Sequence, residues 1–365
     1  MITVNARATA APGQPFRPSL VHRRDVGAHD VLIDIAYCGV CHSDIHHARN
    51  DFGKSIFPLV PGHEIVGTVA AAGPEVTRFG VGDTVGVGCM VDSCRRCSAC
   101  RAGLEQYCHE GDVKTSNGRD YAGIPTDGGY SEKIVVDEAF VVRIPAGMAL
   151  ERTAPLLCAG ATLYSALRHW EAGPGRRVGM IGFGGLGHIG TQISRALGAH
   201  TTVFDLSLAN RDDGLRLGAD EYVLSTDPAV LKERASSLDL IVSTVPVTLD
   251  LDAYLSMLDV DGTLVLIGIP REPLSVGAFS LLFNRRSIAG QLISGMPETQ
   301  EMIDFCGEHG IGAEVEVIGA EGIDEAYRRL LASDVRYRFV IDVATMADPC
   351  SRGLVGIHSD EGARS

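Results

Sequence analysis

The chain has 365 residues, 45% of them apolar and 21% charged, a length and balance that suit a soluble protein with two cores rather than one. Lys and Arg total 32 against 46 Asp and Glu, a net charge of -14, and such a surface repels phosphate backbones and anionic membranes. Neither nucleic acid nor membrane is therefore expected as a partner, and no run of the sequence approaches the length of a membrane span.

Residues 1–15 have no apolar stretch behind a basic start, so no secretory leader is expected. The 10 cysteines then belong in a reducing cytoplasm, where clustered thiols mean metal or chemistry rather than disulfides.

In chain order, Met1 to about Leu150 is rich in Gly, Val and turn signals. Short alternating runs at 31–36, 64–69, 83–87 and 131–136 read as strands, so this part is expected to be β-rich. The texture changes near Pro155. A helix is predicted over 162–169, then strands at 177–181, 201–205, 238–242 and 262–268 alternate with helices at 187–197, 209–217 and near 250–258. That alternation predicts a parallel sheet covered on both faces, with 287–293 as its last strand. A helix over 297–309, a strand at 313–318, a helix over 322–332 and a strand at 338–343 fit a return to the first domain. The expected division is 1–154 with 294–347, then 155–293, with a polar and disordered tail over 348–365.

Three stretches carry chemistry. The first runs from Cys41-His42-Ser43-Asp44-Ile45-His46 to Pro61-Gly62-His63-Glu64. It supplies thiol, imidazole and carboxylate, the side-chain types that hold a catalytic Zn²⁺, beside a hydroxyl and a spare imidazole able to move a proton. The second is Cys94, Cys97, Cys100 and Cys108, spaced C-x2-C-x2-C-x7-C in an irregular loop. Four thiolates so spaced close a tetrahedral shell, the pattern of a structural zinc. An iron–sulfur cluster is the alternative, but the last gap is too long for the ferredoxin run and no Pro follows. Cys38, Cys89, Cys306 and Cys350 read as small hydrophobes.

The third stretch is Gly182-Phe183-Gly184-Gly185-Leu186-Gly187, a G-x-G-x-x-G between a strand and a helix. Its bare backbone can approach a pyrophosphate at the helix N-terminus. Asp205 ends the next strand, where a carboxylate accepts from the adenosine ribose hydroxyls and repels a 2′-phosphate, so NAD is favoured over NADP. Arg211, a few residues on, could neutralise such a phosphate.

Together these motifs resemble the zinc-dependent medium-chain dehydrogenase/reductases, and within them the cinnamyl alcohol dehydrogenase-like group. Gly88-Cys89-Met90-Val91, Leu157-Cys158-Ala159-Gly160-Ala161-Thr162, Pro297-Glu298-Thr299-Gln300-Glu301 and Arg338-Phe339-Val340-Ile341-Asp342 add to the likeness, which runs to about Val343. The resemblance implies an α/β protein with a GroES-like β-rich catalytic domain and a Rossmann doubly wound domain. It implies a catalytic zinc on Cys41, His63 and Cys158, with Glu64 as an exchangeable fourth ligand and Asp44 orienting His63. Ser43 and His46 become a proton relay. His42 lies by the pyrophosphate and Thr162 by the nicotinamide, and Thr244, Val245, Gly268 and Ile269 join the turn in holding the cofactor. Phe52 and Cys89 line the substrate pocket. In that group the position of Asp205 mostly carries a small hydroxyl residue and the cofactor is mostly NADPH, so Asp205 is a departure. The activity implied is reversible hydride transfer between NAD(P)(H) and a primary alcohol or aldehyde, aromatic, allylic or otherwise apolar. It would be carried out by a homodimer joined through the Rossmann domains near Ser287 to Gly295. The alternatives are a reductase of activated C=C bonds and a non-catalytic, cofactor-binding redox sensor.

Overall fold

The computed structural model describes residues 1–346 and the pair Val355–Gly356. The expected tail over 348–365, and Cys350 with it, otherwise lies outside the described residues. The chain forms two compact units, one of Met1–Cys158 with the chain from Ser294 onward, the other of Ala159–Ile293.

The first unit is built mostly on antiparallel strands. β1 (Ile2–Ala8) and β2 (Arg17–Arg23) form a hairpin, and β3 (Asp30–Val40), β4 (Ile65–Ala72) and β5 (Thr84–Val87) follow. A short pair, β6 (Met90–Asp92) and β7 (Val113–Lys114), brackets the four-cysteine loop. After β8 (Lys133–Asp137) and β9 (Val142–Arg143) the chain leaves for the second unit. It returns as the helix Met296–His309, β16 (Val315–Ile318), the helix Ile323–Leu331 and β17 (Arg338–Asp342). The main sheet has the order β16-β17-β3-β4-β5-β9, with β16 and β17 parallel, and β8 pairs with β3. Val31, Ile33, Val40, Ile65, Val85 and Phe339 are each fully buried, which fixes the register by burying one face of each strand.

The second unit is a parallel sheet. β10 (Arg177–Ile181), β11 (His200–Asp205), β12 (Glu221–Leu224), β13 (Leu238–Ser243), β14 (Leu258–Leu266) and β15 (Ser287–Gly290) take the order β12-β11-β10-β13-β14-β15. The order reverses between β10 and β13, the crevice at which doubly wound sheets bind dinucleotides. Val178, Met180, Val203, Ile241, Val242 and Leu264 are almost wholly buried, as expected of strands covered on both faces.

The predicted strands and helices of this alternation are present. Not anticipated were β1, β2, β6, β7, β9 and β12, nor the helices His42–Arg49, Ser98–Arg101, Leu150–Thr153, Pro228–Glu233 and Ala278–Leu282. The pair Val355–Gly356 adds a short strand, β18, alongside β2.

Candidate active site

Sheet register gathers the first set of side chains. β3 ends one residue before Cys41, and its partner β4 begins one residue after Glu64, with Cys38 opposite Ile65. Gly39 N–H donates to the Glu64 carbonyl at 2.9 Å, so the two ends meet. On the other side of β3, β17 places Phe339 opposite Val40 and so sets Arg338 at the same end. β5 sits beside β4, and Gly86 within it and Gly88 just beyond it admit the turn that carries Cys158. A Cβ at Gly86 would stand 2.8 Å from the Leu157 side chain, and one at Gly88 2.9 Å from the Leu157 carbonyl oxygen.

Cys41, His63, Glu64 and Cys158 converge. One donor atom from each lies within 4.8 Å of the others. Cys41 is the extended N-cap of the helix His42–Arg49, which ends at Asn50 in a left-handed C-cap with φ 58°. Asp44, fully buried, closes this corner. Its Oδ2 accepts from Cys41 N–H at 2.9 Å, as in a capping box, and its Oδ1 contacts Gly62 N–H and His63 Nδ1, both at 3.1 Å. Gly62 is in the left-handed region at φ +106°, and a Cβ there would meet Cys38 Sγ and Tyr130 Cδ1 at 2.7 Å. Cys38 is therefore a packing residue against a turn that has no room to spare.

Charge in this corner is divided unevenly. The Cys41 thiol is held well below its ordinary value by the Cys158 thiol, against burial and with His63 helping. Cys158 is pushed well above, mainly by Cys41 and Cys89. Glu64, fully buried, is raised to about 7 by desolvation, although Arg338 pulls it down. Burial alone would lower His63, but Asp44 and the thiols hold it well above its usual range. So many acidic groups in one buried place cannot all ionise unless they share a cation.

The donor set fits such an ion. Glu64 Oε1 is taken by the Arg338 guanidinium, while its Oε2 is buried with no hydrogen-bond partner. Gly39 keeps that oxygen's place clear, since a Cβ there would fall on Oε2.

The helix His42–Arg49 also carries the proposed relay residues. The Cys41 thiol donates to Ser43 Oγ at 3.7 Å, and His46 Nδ1 lies 2.7 Å from Asp51 Oδ2. Burial lowers both His42 and His47. Phe52 is half exposed and lies against His46 with ring centroids 5.2 Å apart. Cys89 hydrogen-bonds Cys158, which lowers its own pKa against burial.

Cys94, Cys97, Cys100 and Cys108 form the second donor set, also within 4.8 Å. Backbone N–H groups of Cys97, Cys100, Cys94 and His109 point at three of the sulfurs at 3.4–3.5 Å. Those donors pull Cys97 down to about 6, while burial pushes Cys100 up to about 12.

In the second unit the Gly-rich turn joins β10 to the helix Gly187–Ala196. Gly182 has φ +90° and donates to Phe204 O at 2.8 Å. A Cβ at Gly182 would stand 2.6 Å from Val245, and one at Gly187 would strike Gly182 O, whereas Gly184 faces open space. This is the cradle a pyrophosphate fits. Thr244 Oγ1 donates to Ile181 O at 2.9 Å, and Gly268 packs on the Val245 backbone, so both lie at the same strand ends as the turn. Gly185 and Leu186 complete the turn. Ile269 is exposed, and Thr162 is buried in the helix Ala159–His169. Asp205 Oδ1 accepts from Leu206 N–H and Oδ2 from the Tyr222 hydroxyl, both at 2.7 Å. Arg211 is more than half exposed, 3.8 Å from Asp212.

Three side chains that sequence reasoning passes over hold groups it singles out: Arg338 on Glu64, Asp51 on His46 and Tyr222 on Asp205. Arg338 alone left a trace, as the first residue of a stretch that adds to the family likeness.

Comparison with known proteins gives a consistent picture. Residues 27–146 match the alcohol dehydrogenase GroES-like domain and residues 185–308 the zinc-binding dehydrogenase domain. An NADP-dependent alcohol dehydrogenase C of Mycolicibacterium smegmatis is 54% identical over 95% of this chain and 99% of its own. The aldehyde reductase YahK of Escherichia coli is 50% identical over 92% of this chain and 97% of its own. The solved structure of a cinnamyl alcohol dehydrogenase from Sorghum bicolor superposes with a TM-score of 0.91 at 40% identity, covering 98% of this chain and 100% of that one. The first relative's name speaks for NADP, against the NAD expected from Asp205.

Proposed function

This chain belongs to the zinc-dependent medium-chain dehydrogenase/reductases, in the cinnamyl alcohol dehydrogenase-like group, and is an NAD(P)-dependent alcohol dehydrogenase/aldehyde reductase; we propose that Cys41, His63 and Cys158 hold its catalytic zinc, with Glu64 as the exchangeable ligand. The observation that carries this assignment is the convergence of those donors around a carboxylate oxygen that has no other partner. Cys94, Cys97, Cys100 and Cys108 hold a structural zinc that pins a loop with little apolar content.

When bound, zinc supplies a Lewis acid at the substrate oxygen, and the nicotinamide supplies or accepts the hydride. The chain's own residues do the rest. Ser43 exchanges the hydroxyl proton of the substrate and His46 carries it outward, with Asp51 fixing the imidazole through Nδ1. Asp44 orients His63 and ties it to the cap of the helix. Phe52 offers an apolar wall, which suits an aromatic or allylic primary alcohol or aldehyde.

For the cofactor, the cradle at Gly182, Gly184 and Gly187 takes the pyrophosphate and Asp205 the adenosine ribose. The carboxylate supports NAD in this chain despite the NADP-dependent relative. The chain works as a homodimer in the cytoplasm. β15 is an edge strand, and Phe279, Leu282 and Phe283 just before it are 67–70% exposed, a surface suited to a second copy. The reducing compartment suits the nine free cysteines among the described residues, and no described helix is long and apolar enough to cross a membrane.

The deciding experiment is a turnover screen of aldehydes and alcohols with NADH and NADPH, alongside zinc analysis, on the wild type and on Cys158→Ser. Full aldehyde reduction by the variant would overturn the ligand assignment.

A further inference from the structure

Asp205 sits at the end of β11 with both carboxylate oxygens occupied, and its second partner comes from a neighbouring strand. β11 and β12 run parallel with Val203 opposite Tyr222, so Tyr222 lies two residues back along the face that Asp205 also uses. The hydroxyl reaches Oδ2 at 2.7 Å, while the Leu206 N–H holds Oδ1 at 2.7 Å. The Asp205 carbonyl is itself tied to Ser225 N–H at 2.8 Å.

The tyrosine ring is held as firmly as its hydroxyl. Tyr222 is 8% exposed and meets Phe183 edge to face, with centroids 5.6 Å apart and planes at 74°. Phe183 is buried and is the second residue of the Gly-rich turn. On its other side the ring covers Gly214, where a Cβ would stand 2.7 Å from Cε2. One side chain thus links the pyrophosphate turn, the acidic strand end and the helix Arg211–Arg216.

A carboxylate on a single tether can rotate away from an incoming phosphate. One held at both oxygens cannot, and it still offers lone pairs to two ribose hydroxyls. We infer that Tyr222 is a positioning residue for cofactor choice: by clamping Asp205 it sets how strongly the chain prefers a dinucleotide with a free 2′-hydroxyl over one with a 2′-phosphate. The inference rests on the reading that Asp205 meets the adenosine ribose. Arg211, the cation that would work the other way, is more than half exposed beside Asp212.

The test measures dissociation constants of NADH and NADPH by fluorescence titration of the full chain. It compares the wild type with Tyr222→Phe, Asp205→Ser and the double variant. Tyr222→Phe keeps the ring and removes only the hydroxyl, so thermal melting should change little. Wild type is expected to bind NADH more tightly. Tyr222→Phe should narrow the gap between the two cofactors by about tenfold, the scale of one hydrogen bond to a charged group. In the Asp205→Ser background the same change should leave the gap where it was. Equal weakening of both cofactors by Tyr222→Phe, or the same narrowing with and without Asp205, would overturn the clamp alone. A wild type that prefers NADPH, with a ratio that Asp205→Ser does not move, would instead overturn the reading of Asp205, and the clamp with it.

Discussion

The two thiol clusters make opposite use of the same chemistry. The loop cluster draws four sulfurs from one short segment, and backbone N–H groups aim at three of them. Nothing in it is left over for a substrate. The buried cluster draws its donors from the ends of β3 and β4 and from the turn before Ala159, and it mixes thiol, imidazole and carboxylate. There each donor has a protein partner behind it, and one carboxylate oxygen has none. A closed shell built locally serves stability, while an open one built by topology serves reaction.

The largest contrast should come from removing one thiol in each. Cys158→Ser should cut aldehyde reduction at least about a hundredfold, the scale of losing Lewis-acid stabilisation, with thermal melting nearly unchanged. Cys97→Ser should lower the melting temperature instead, and activity should fall only as the loop unfolds. Zinc analysis should show each variant short of one ion. Equal losses of stability in both would erase the distinction.

Next in size is the ion pair behind Glu64. Arg338→Met leaves a fully buried carboxylate without its partner and should cost about 3–5 kcal/mol by denaturant unfolding. Adding Glu64→Gln should recover part of it above about pH 7, where the unpaired carboxylate would otherwise ionise, and little below, where burial keeps it protonated. The pH dependence has a definite sign. Glu64 is raised from 4.5 to about 7, so the folded state holds a proton that the unfolded state has released. In chelator-treated protein its contribution to stability should therefore decline as pH rises from 4.5 to 7 and level off above. A flat profile, or one that rises, would remove desolvation as the dominant cause. The loop cluster has no comparable carboxylate.

The same contrast explains what the sequence made legible. Cys94 to Cys108 could be read from spacing alone, because a local site writes its geometry into residue separations. The Gly-rich turn was legible for the same reason, as was the alternation of strands and helices around it. Cys158 could be joined to Cys41 only through resemblance to a family, because sheet register brings them together and spacing does not record register. The helix His42–Arg49 escaped because its only buried apolar residues are Ile45 and Ala48, too few for a period, and its cap is a cysteine. β1 and β2 were obscured by Arg7 and Arg23, which are buried and break the apolar alternation. Arg338, Asp51 and Tyr222 act through groups distant in sequence or on another element, so nothing next to them marks their roles.

The smallest effects should come from the residues behind the ligands, and they sharpen the comparison most. Asp44 is fully buried and in contact with three groups, one of them His63. Asp44→Asn keeps the shape but weakens the hold on the imidazole, and should loosen the zinc of the buried cluster by about 10–100-fold in competition with a chelator. Its counterpart in the loop is Ser93, whose Oγ accepts from Cys100 Sγ at 3.3 Å and from Arg95 N–H at 3.3 Å. Ser93→Ala removes a neutral partner, and the backbone donors to the other sulfurs remain. The loss there should stay near about 1 kcal/mol, the net worth of one uncharged hydrogen bond. If Ser93→Ala released its zinc as readily as Asp44→Asn, the loop would depend on its surroundings as much as the buried site does, and the local closed shell would not be what holds it.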